Sequence, residues 1–574
     1  MQDQDVCQIR RYLDPMMNSF LDRWSSGARG PIVAALIAMI AGLPGVFALP
    51  PLDRDESRFA QATAQMLETR DFVKINYQDQ PRDKKPVGIH WLQAASVSLF
   101  SGVEARQIWA YRIPSLLGAM LAAAACAWGA AAFFGPRGGL IAGAVLGATF
   151  LLSTEASIAK TDAVLCGATT LAMAALGRLY AASRGEGSEG WRTRILFWLG
   201  LSVATLVKGP VGPMVVALAG LSLWAADRKA PWAKDLGWIW GLVIFAAIVG
   251  PWAIAITVAT DGAFWGAAIG GDLAPKLAGG HESHGAPTGL HTLLAPFLTF
   301  PTGFMLPAAM ILGWTHRKEP GVRFALCWLI PSWLVFEAMP TKLVHYTLPT
   351  YGALAWLIAA ASQQPIGRVG RYGGAALSVL GAAVFATVSI LALARYGGPG
   401  DLTAAALSAA LFAAAGLAGA LLLIREAPVA ALAVAGGLGI AAHGVLAGVL
   451  VPGLDPLMLS SRTAKALDRA GLAPRSGLIT GPVTVAGYAE PSLVFALGTN
   501  TILADGAAAA TALAEGRPAI VESREQADFD RVMAQNKTRA ERAGTVSGVN
   551  YSNGRETTLI LYRPLSDTPA AEPR

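Results

Sequence analysis

Between positions 50 and 91 charge gathers in a chain that otherwise carries little of it. Asp53, Arg54, Asp55, Glu56 and Arg58 fall within six positions, and Asp83, Lys84 and Lys85 within three. Charges beside a strongly apolar segment that form no solubilising face mark a site. A carboxylate in such company can act as a general base or stabilise positive charge developing on a sugar ring. Arg binds a phosphate bidentately and Lys binds it as a point charge. Further on, Lys160 and Asp162 stand in I-A-K-T-D-A-V-L, Lys208 in V-K-G-P-V-G-P, and Lys342, His345 and Tyr346 in T-K-L-V-H-Y-T-L-P.

What must position these groups is a membrane. The chain is 54% hydrophobic and only 14% charged, where a soluble protein would carry about 25% charge. Apolar runs of the length that spans a bilayer recur along most of it. The first runs from about 31 to 49. Others read approximately 111–133, 138–154, 162–182, 195–207, 210–226, 236–259, 291–313, 322–338, 343–361, 373–394, 402–424 and 428–451, thirteen in all. The segment 87–102 is short and interrupted by His90 and Gln93, and reads as an interfacial or re-entrant helix.

The charges set the orientation. Arg10, Arg11, Arg23 and Arg29 precede the first span and acids follow it, which predicts a cytoplasmic N-terminus. With thirteen crossings, Arg137, the Arg184/Arg192/Arg194 loop, residues 227–235, residues 316–320, Arg368/Arg371 and Arg425 all face the cytoplasm. A crossing at 87–102 would turn these basic loops outward. The net charge of +7 is accounted for in this way rather than by nucleic acid, since no basic stretch is interleaved with stacking aromatics. Cys7, Cys126, Cys166 and Cys327 are too far apart to suggest a C-x-x-C site or a disulfide framework.

The same topology places Asp55, Glu56, Arg58, Lys84, Lys85, Lys160, Asp162, Lys208, Lys342, His345 and Tyr346 on the outer face. Asp272, Lys276, His281, His284 and His291 join them there. Taken singly, Lys208, Lys276 and Lys342 read equally well as snorkelling anchors; acids do not snorkel well, so Asp55 and Asp162 are harder to explain that way. A lipid-linked substrate with a phosphate at the membrane surface satisfies the whole set. The histidines lack an H-E-x-x-H or a third ligand of evident spacing, so no metal is assigned.

Three parts follow: an N-terminal cytoplasmic tail (1–29), a transmembrane part (30–454) with an outer catalytic loop (50–110), and an outer domain (455–574). In the last, S-G-L-I-T, S-L-V-F-A-L, P-A-I-V-E-S and T-T-L-I-L-Y-R read as strands. S-S-R-T-A-K-A-L-D-R-A-G and Q-A-D-F-D-R-V-M-A-Q read as helices, together a small α/β domain without a phosphate-binding motif.

D-R-D-E-S-R-F-A followed by K-K-P-V-G-I-H-W-L resembles the D-E-x-R-Y-A … E-K-P-P-L-x-Y-W-L pattern of bacterial membrane glycosyltransferases. That group comprises the aminoarabinose transferases of lipid A (ArnT) and the wider set related to protein O-mannosyltransferases. K-T-D-A-V-L, V-K-G-P-V-G and T-K-L-V-H-Y-T-L-P resemble three further blocks in the same order. The resemblance covers roughly residues 30–360. It implies an all-α polytopic bundle, the GT-C fold of about thirteen helices, with its site facing the periplasm of a bacterial inner membrane. It further implies inverting transfer of a sugar from undecaprenyl or another polyprenyl phosphate to lipid A or another envelope acceptor. By the same resemblance Asp55 is the principal catalytic carboxylate and Asp162 the second acid. Lys85 and Arg58 contact the donor phosphate, and Lys208, Lys342, His345 and Tyr346 line the cavity.

Lys84 stands where the family has the Glu associated with a metal position, and Val87 replaces the second Pro. No metal or other cofactor is therefore carried over, and the added positive charge suits a more anionic sugar or acceptor. The alternatives are a protein O-glycosyltransferase of the same fold and a lipid-linked sugar transporter. Against the transporter stand the lack of internal symmetry and the gathering of ionisable residues at one end of the bundle. A monomer is the default expectation.

Overall fold

The computed structural model describes residues 19, 21–275, 285–475 and 481–565. Eight of its helices are long and apolar enough to cross a membrane, and the protein is a multi-pass membrane protein. The longest, Ile108–Gly147, is two helices joined at Gly135, whose φ of 71° interrupts the helical run between the expected segments 111–133 and 138–154. Trp191–Lys208 and the shorter apolar helices Val211–Asp227, Gly303–Thr315 and Leu348–Ser362 fall on four more of the expected segments. The helix Gly88–Phe100 has 13 residues, about 20 Å at 1.5 Å per residue, which is too short to cross.

Small residues let the helices approach closely. A Cβ on Gly167 would stand 2.4 Å from the carbonyl oxygen of Gly118, so Ile108–Gly147 and Asp162–Ser183 touch backbone to backbone, the packing that bilayers favour. Gly88 meets the Trp191–Lys208 helix in the same way, its would-be Cβ 2.6 Å from the Leu206 carbonyl oxygen. That contact brings the chain just after Lys85 against the helix that ends at Lys208.

The C-terminal region carries a five-stranded sheet made of Thr484–Ala486 (β3), Ile502–Ala504 (β4), Ala519–Glu522 (β5), Ala540–Asn550 (β6) and Arg555–Pro564 (β7), in the order β4-β3-β5-β7-β6. A separate hairpin of two-residue strands, Asn76–Tyr77 (β1) with Gln80–Pro81 (β2), lies between the helices Asp55–Thr69 and Gly88–Phe100. β3 pairs in parallel with β4 and β5; β7 runs antiparallel to β5 and β6. The expected strand in P-A-I-V-E-S is β5, and T-T-L-I-L-Y-R lies in β7. The expected helices are Leu459–Arg469 and Gln526–Gln535. The S-L-V-F-A-L stretch is a correction: it forms the helix Pro491–Leu497. Pro491 at the first helical position starts it, and a short apolar run cannot be told from a strand by period alone. The S-G-L-I-T stretch lies outside the described residues.

Candidate active site

The geometry begins with the helix Asp55–Thr69. Asp55 is its first residue, where a carboxylate suits the positive end of the helix dipole. Phe59, four residues on and on the same face, carries two cations: the Arg82 guanidinium at 4.9 Å and Lys85 Nζ at 5.0 Å from its ring centre. Cation–π attraction of about 0.5–2 kcal/mol per pair thus holds Arg82 and Lys85 beside Asp55. Burial works to raise the pKa of Asp55, but Lys85, Lys160, Arg82 and His345 outweigh it and hold the carboxyl below its ordinary value. Burial, then the Lys208 charge, push the Lys85 ammonium down to about 8, against the opposing pull of Asp55 and Asp162.

Behind Asp55 lies a buried cluster. Lys160 Nζ stands 3.0 Å from Glu155, 3.7 Å from Asp162 and 3.2 Å from His345 Nδ1. Lys208 Nζ donates to Asp162 and sits over the Tyr346 ring at 5.3 Å. Asp162 opens the helix Asp162–Ser183 and Lys208 closes Trp191–Lys208, so each charge complements its own helix end as well as its partner. Burial keeps the His345 pKa well below its usual value, with Lys160, Lys208 and Lys85 acting the same way against Asp162. His345 is therefore neutral. An ammonium can only donate, so Nδ1 accepts from Lys160 and the proton sits on Nε2, 3.6 Å from Asp162.

Glu56 faces away from this cluster. Its carboxylate takes the Arg112 guanidinium at 2.7 and 2.8 Å and the N–H groups of Leu52 and Ala159 at 2.9 and 2.7 Å. Both residues of the ion pair are fully buried. Gln93 donates to the Ala159 carbonyl at 3.1 Å, so the residue before Lys160 is fixed at both its amide and its carbonyl. Glu56 holds the loop that presents Asp55 and the loop that presents Lys160 in one register, instead of lining the substrate space. Lys342 is likewise buried, donating to the carbonyls of Ala286 and Met339, and braces the segment that carries His345. Lys84 is exposed and Arg58 half-buried. His291 donates from Nε2 to the Leu343 carbonyl at 3.0 Å and its Nδ1 lies 3.5 Å from Glu337, a structural setting. Asp272 is buried; Lys276, His281 and His284 lie outside the described residues.

Residues 84–254 match the family described as dolichyl-phosphate-mannose-protein mannosyltransferase. Two curated relatives are undecaprenyl phosphate-alpha-4-amino-4-deoxy-L-arabinose arabinosyl transferases. The one from Aeromonas salmonicida is 26% identical over 55% of this chain, and the one from Pectobacterium atrosepticum 28% over 58%. The matched stretch spans 58% of each relative's length. The crystal structure of ArnT from Cupriavidus metallidurans bound to undecaprenyl phosphate superposes with a TM-score of 0.71, over 95% of this chain and 98% of that one, at 18% identity. The chain has the ArnT fold.

Within this ArnT-like fold, Glu155 and Arg82 are the members of the cluster that sequence reasoning missed. Arg82 lay in view, three residues before Lys85. Glu155 had no signal beyond being an acid inside an apolar run. Glu155, Asp162 and His345 each offer a ligand atom within 4.8 Å of the others, a spacing that invites a divalent ion. The Lys160 ammonium, in contact range of all three, supplies a positive charge there instead, so the cluster as built does not fit a resident metal. A cavity of about 1230 Å³ lined by Gln65, Glu68, Gln78, Arg106, Arg475 and Asn500 takes in none of these residues.

Proposed function

We propose that the protein is an inverting glycosyltransferase. It takes a sugar from an undecaprenyl or other polyprenyl phosphate and passes it to lipid A or another envelope acceptor on the outer face of the bacterial inner membrane. One observation carries this reading: an ionised carboxylate, Asp55, borders a nest of cations contributed by the half-buried Lys85 and Lys208 and the buried Lys160. The similarity to ArnT, which binds undecaprenyl phosphate, supports a lipid phosphate as its anion. The basic loops support a cytoplasmic N-terminus and an outer C-terminal domain.

In this mechanism Lys85, with Arg82 and Arg58 close by, takes the donor phosphate and stabilises it as it leaves the anomeric carbon. Asp55 removes the proton of an attacking hydroxyl. If the acceptor is a lipid A phosphate, already ionised, Asp55 instead stabilises the oxocarbenium-like sugar. Asp162 orients Lys208 and, through His345 and Lys160, keeps the cationic wall in place. The reaction uses no metal, and the protein acts as a monomer.

The test is sugar transfer from a panel of undecaprenyl-phosphate donors by purified protein with lipid A present. Asp55→Asn is expected to lower the rate by about 10²–10⁴-fold with unchanged melting temperature. Full activity in Asp55→Asn overturns the role of Asp55. Sugar transfer to a peptide but not to lipid A selects the protein O-glycosyltransferase alternative.

A further inference from the structure

The outer domain has no part in the mechanism so far, yet it grips the two residues that precede Asp55. The Asp53 N–H donates to the Tyr551 hydroxyl at 2.6 Å, and the Ser492 N–H donates to Asp53 Oδ1 at 3.1 Å. Tyr551 stands at the turn between β6 and β7 and Ser492 in the helix Pro491–Leu497. Arg54 Nε lies 3.8 Å from Glu490, which is itself held by Asn550 Nδ2 at 2.8 Å and Ser552 Oγ at 3.2 Å. Ser492 is anchored in turn by its hydroxyl on Ser460 at 2.6 Å.

The grip continues along the Asp55–Thr69 helix. Gln61 Nε2 donates to Thr499 Oγ1 at 2.7 Å, and Thr499 Oγ1 donates to Glu68 at 2.6 Å. Phe495 packs among Ala60, Ala64 and Tyr111, meeting the Tyr111 ring edge-on at 5.3 Å. The catalytic loop is thus fixed on one side by the buried Glu56–Arg112 pair and on the other by the outer domain.

We propose that the outer domain is a positioning element of the active site, setting where Asp55 stands through the bonds of Asp53 to Ser492 and Tyr551. This rests on the reading of Asp55 given above. A loop held only at Glu56 would let Asp55 swing, and a misplacement of about 1 Å can reduce a rate by about a hundredfold.

The seam also carries a titration. Burial pushes the Asp53 carboxyl up to about 6; the Ser492 hydrogen bonds and Arg54 oppose this, and the Glu490 charge adds to it. Tyr77, Tyr488 and Tyr551 also face Asp53, each with its hydroxyl pushed up to about 12 or beyond by burial, so they stay neutral. An acid whose pKa is higher in the docked state than in the undocked one favours docking when protonated. The seam therefore tightens as pH falls through about 6 and loosens as it rises.

The test uses the full-length protein with two readouts: amide hydrogen exchange over residues 52–58, and transfer kinetics with Asp55→Ala run beside them. Asp53→Ala and Tyr551→Phe are expected to speed exchange there by about tenfold. They should lower kcat by about tenfold and leave the donor KM within about twofold. Asp53→Asn keeps the acceptor and removes the charge; it should match or exceed wild-type protection and abolish the pH dependence of the protection factor, the exchange rate relative to the intrinsic rate at the same pH, between about pH 5 and 7. Unchanged exchange in both disrupting variants, faster exchange with wild-type kcat, or an Asn variant that behaves like the Ala variant each overturns the proposal. The expected exchange pattern in a protein that transfers no sugar upholds the grip and overturns the glycosyltransferase reading alone.

Discussion

Lys160 Nζ donates to the Nδ1 of His345 at 3.2 Å, across 185 residues of chain. The bond places an ammonium among Glu155, Asp162 and His345, where three metal-ligating groups converge. Two acids buried without a compensating charge would be strongly unfavourable; Lys160 and Lys208 supply it.

From this follows a test of the internal cation. Lys160→Ala leaves three potential ligands within reach of one ion, so the variant should bind Zn²⁺ or Mn²⁺ with a stoichiometry near one where the wild type binds none. Metal analysis after dialysis checks it. Wild-type transfer should survive EDTA. A chelator-sensitive wild type would show that Lys160 does not stand in for a metal.

Removing one member of the Glu56–Arg112 pair strands a buried charge. Arg112→Met or Glu56→Ala should therefore destabilise the protein by about 3–5 kcal/mol, read as a drop in melting temperature and in folded yield. Arg112→Lys should recover little, because the guanidinium also donates to the carbonyls of Val46, Leu49 and Pro50 and an ammonium cannot reproduce that fork.

Donor binding should depend on pH through Lys85. The group is charged below about 8 and loses its proton as pH rises through that value, so affinity for undecaprenyl phosphate should be full near pH 7 and about tenfold weaker by about pH 9. Lys85→Arg should remain flat over that range, since a guanidinium stays protonated. Asp55, its pKa held below the ordinary value, contributes no loss between about pH 5 and 7. An alkaline limb that persists in Lys85→Arg would assign the titration elsewhere.

Gly88→Ala asks whether the contact beyond Lys85 matters. The added Cβ meets the Leu206 carbonyl oxygen at 2.6 Å, backbone that cannot move aside without shifting the Trp191–Lys208 helix. The donor KM should rise while the buried Glu56–Arg112 side of the loop stays intact. An equivalent change at Gly102, which has nothing within 4 Å, tests only its positive φ and should leave KM unaltered.

Hydropathy and charge determined the membrane class, the helical segments and the loops in which acids and cations gather, because the bilayer imposes a length and a polarity that a one-dimensional string can display. The five motifs, taken in order, pointed to Asp55, Lys85, Lys160, Asp162, Lys208 and His345. Only the tertiary structure separated the groups that meet from those that brace. Glu56 and Asp55 are neighbours with the same chemistry in sequence, but adjacent helical positions point about 100° apart; one meets Arg112 and the other the cations. Glu155 joined the cluster, and Asp53 met Tyr551 498 residues away, through side-chain directions and a domain seam that no local pattern encodes. The strand expected at S-L-V-F-A-L failed for the same reason. Five apolar residues in a row state that they are buried, and only their neighbours decide in which conformation.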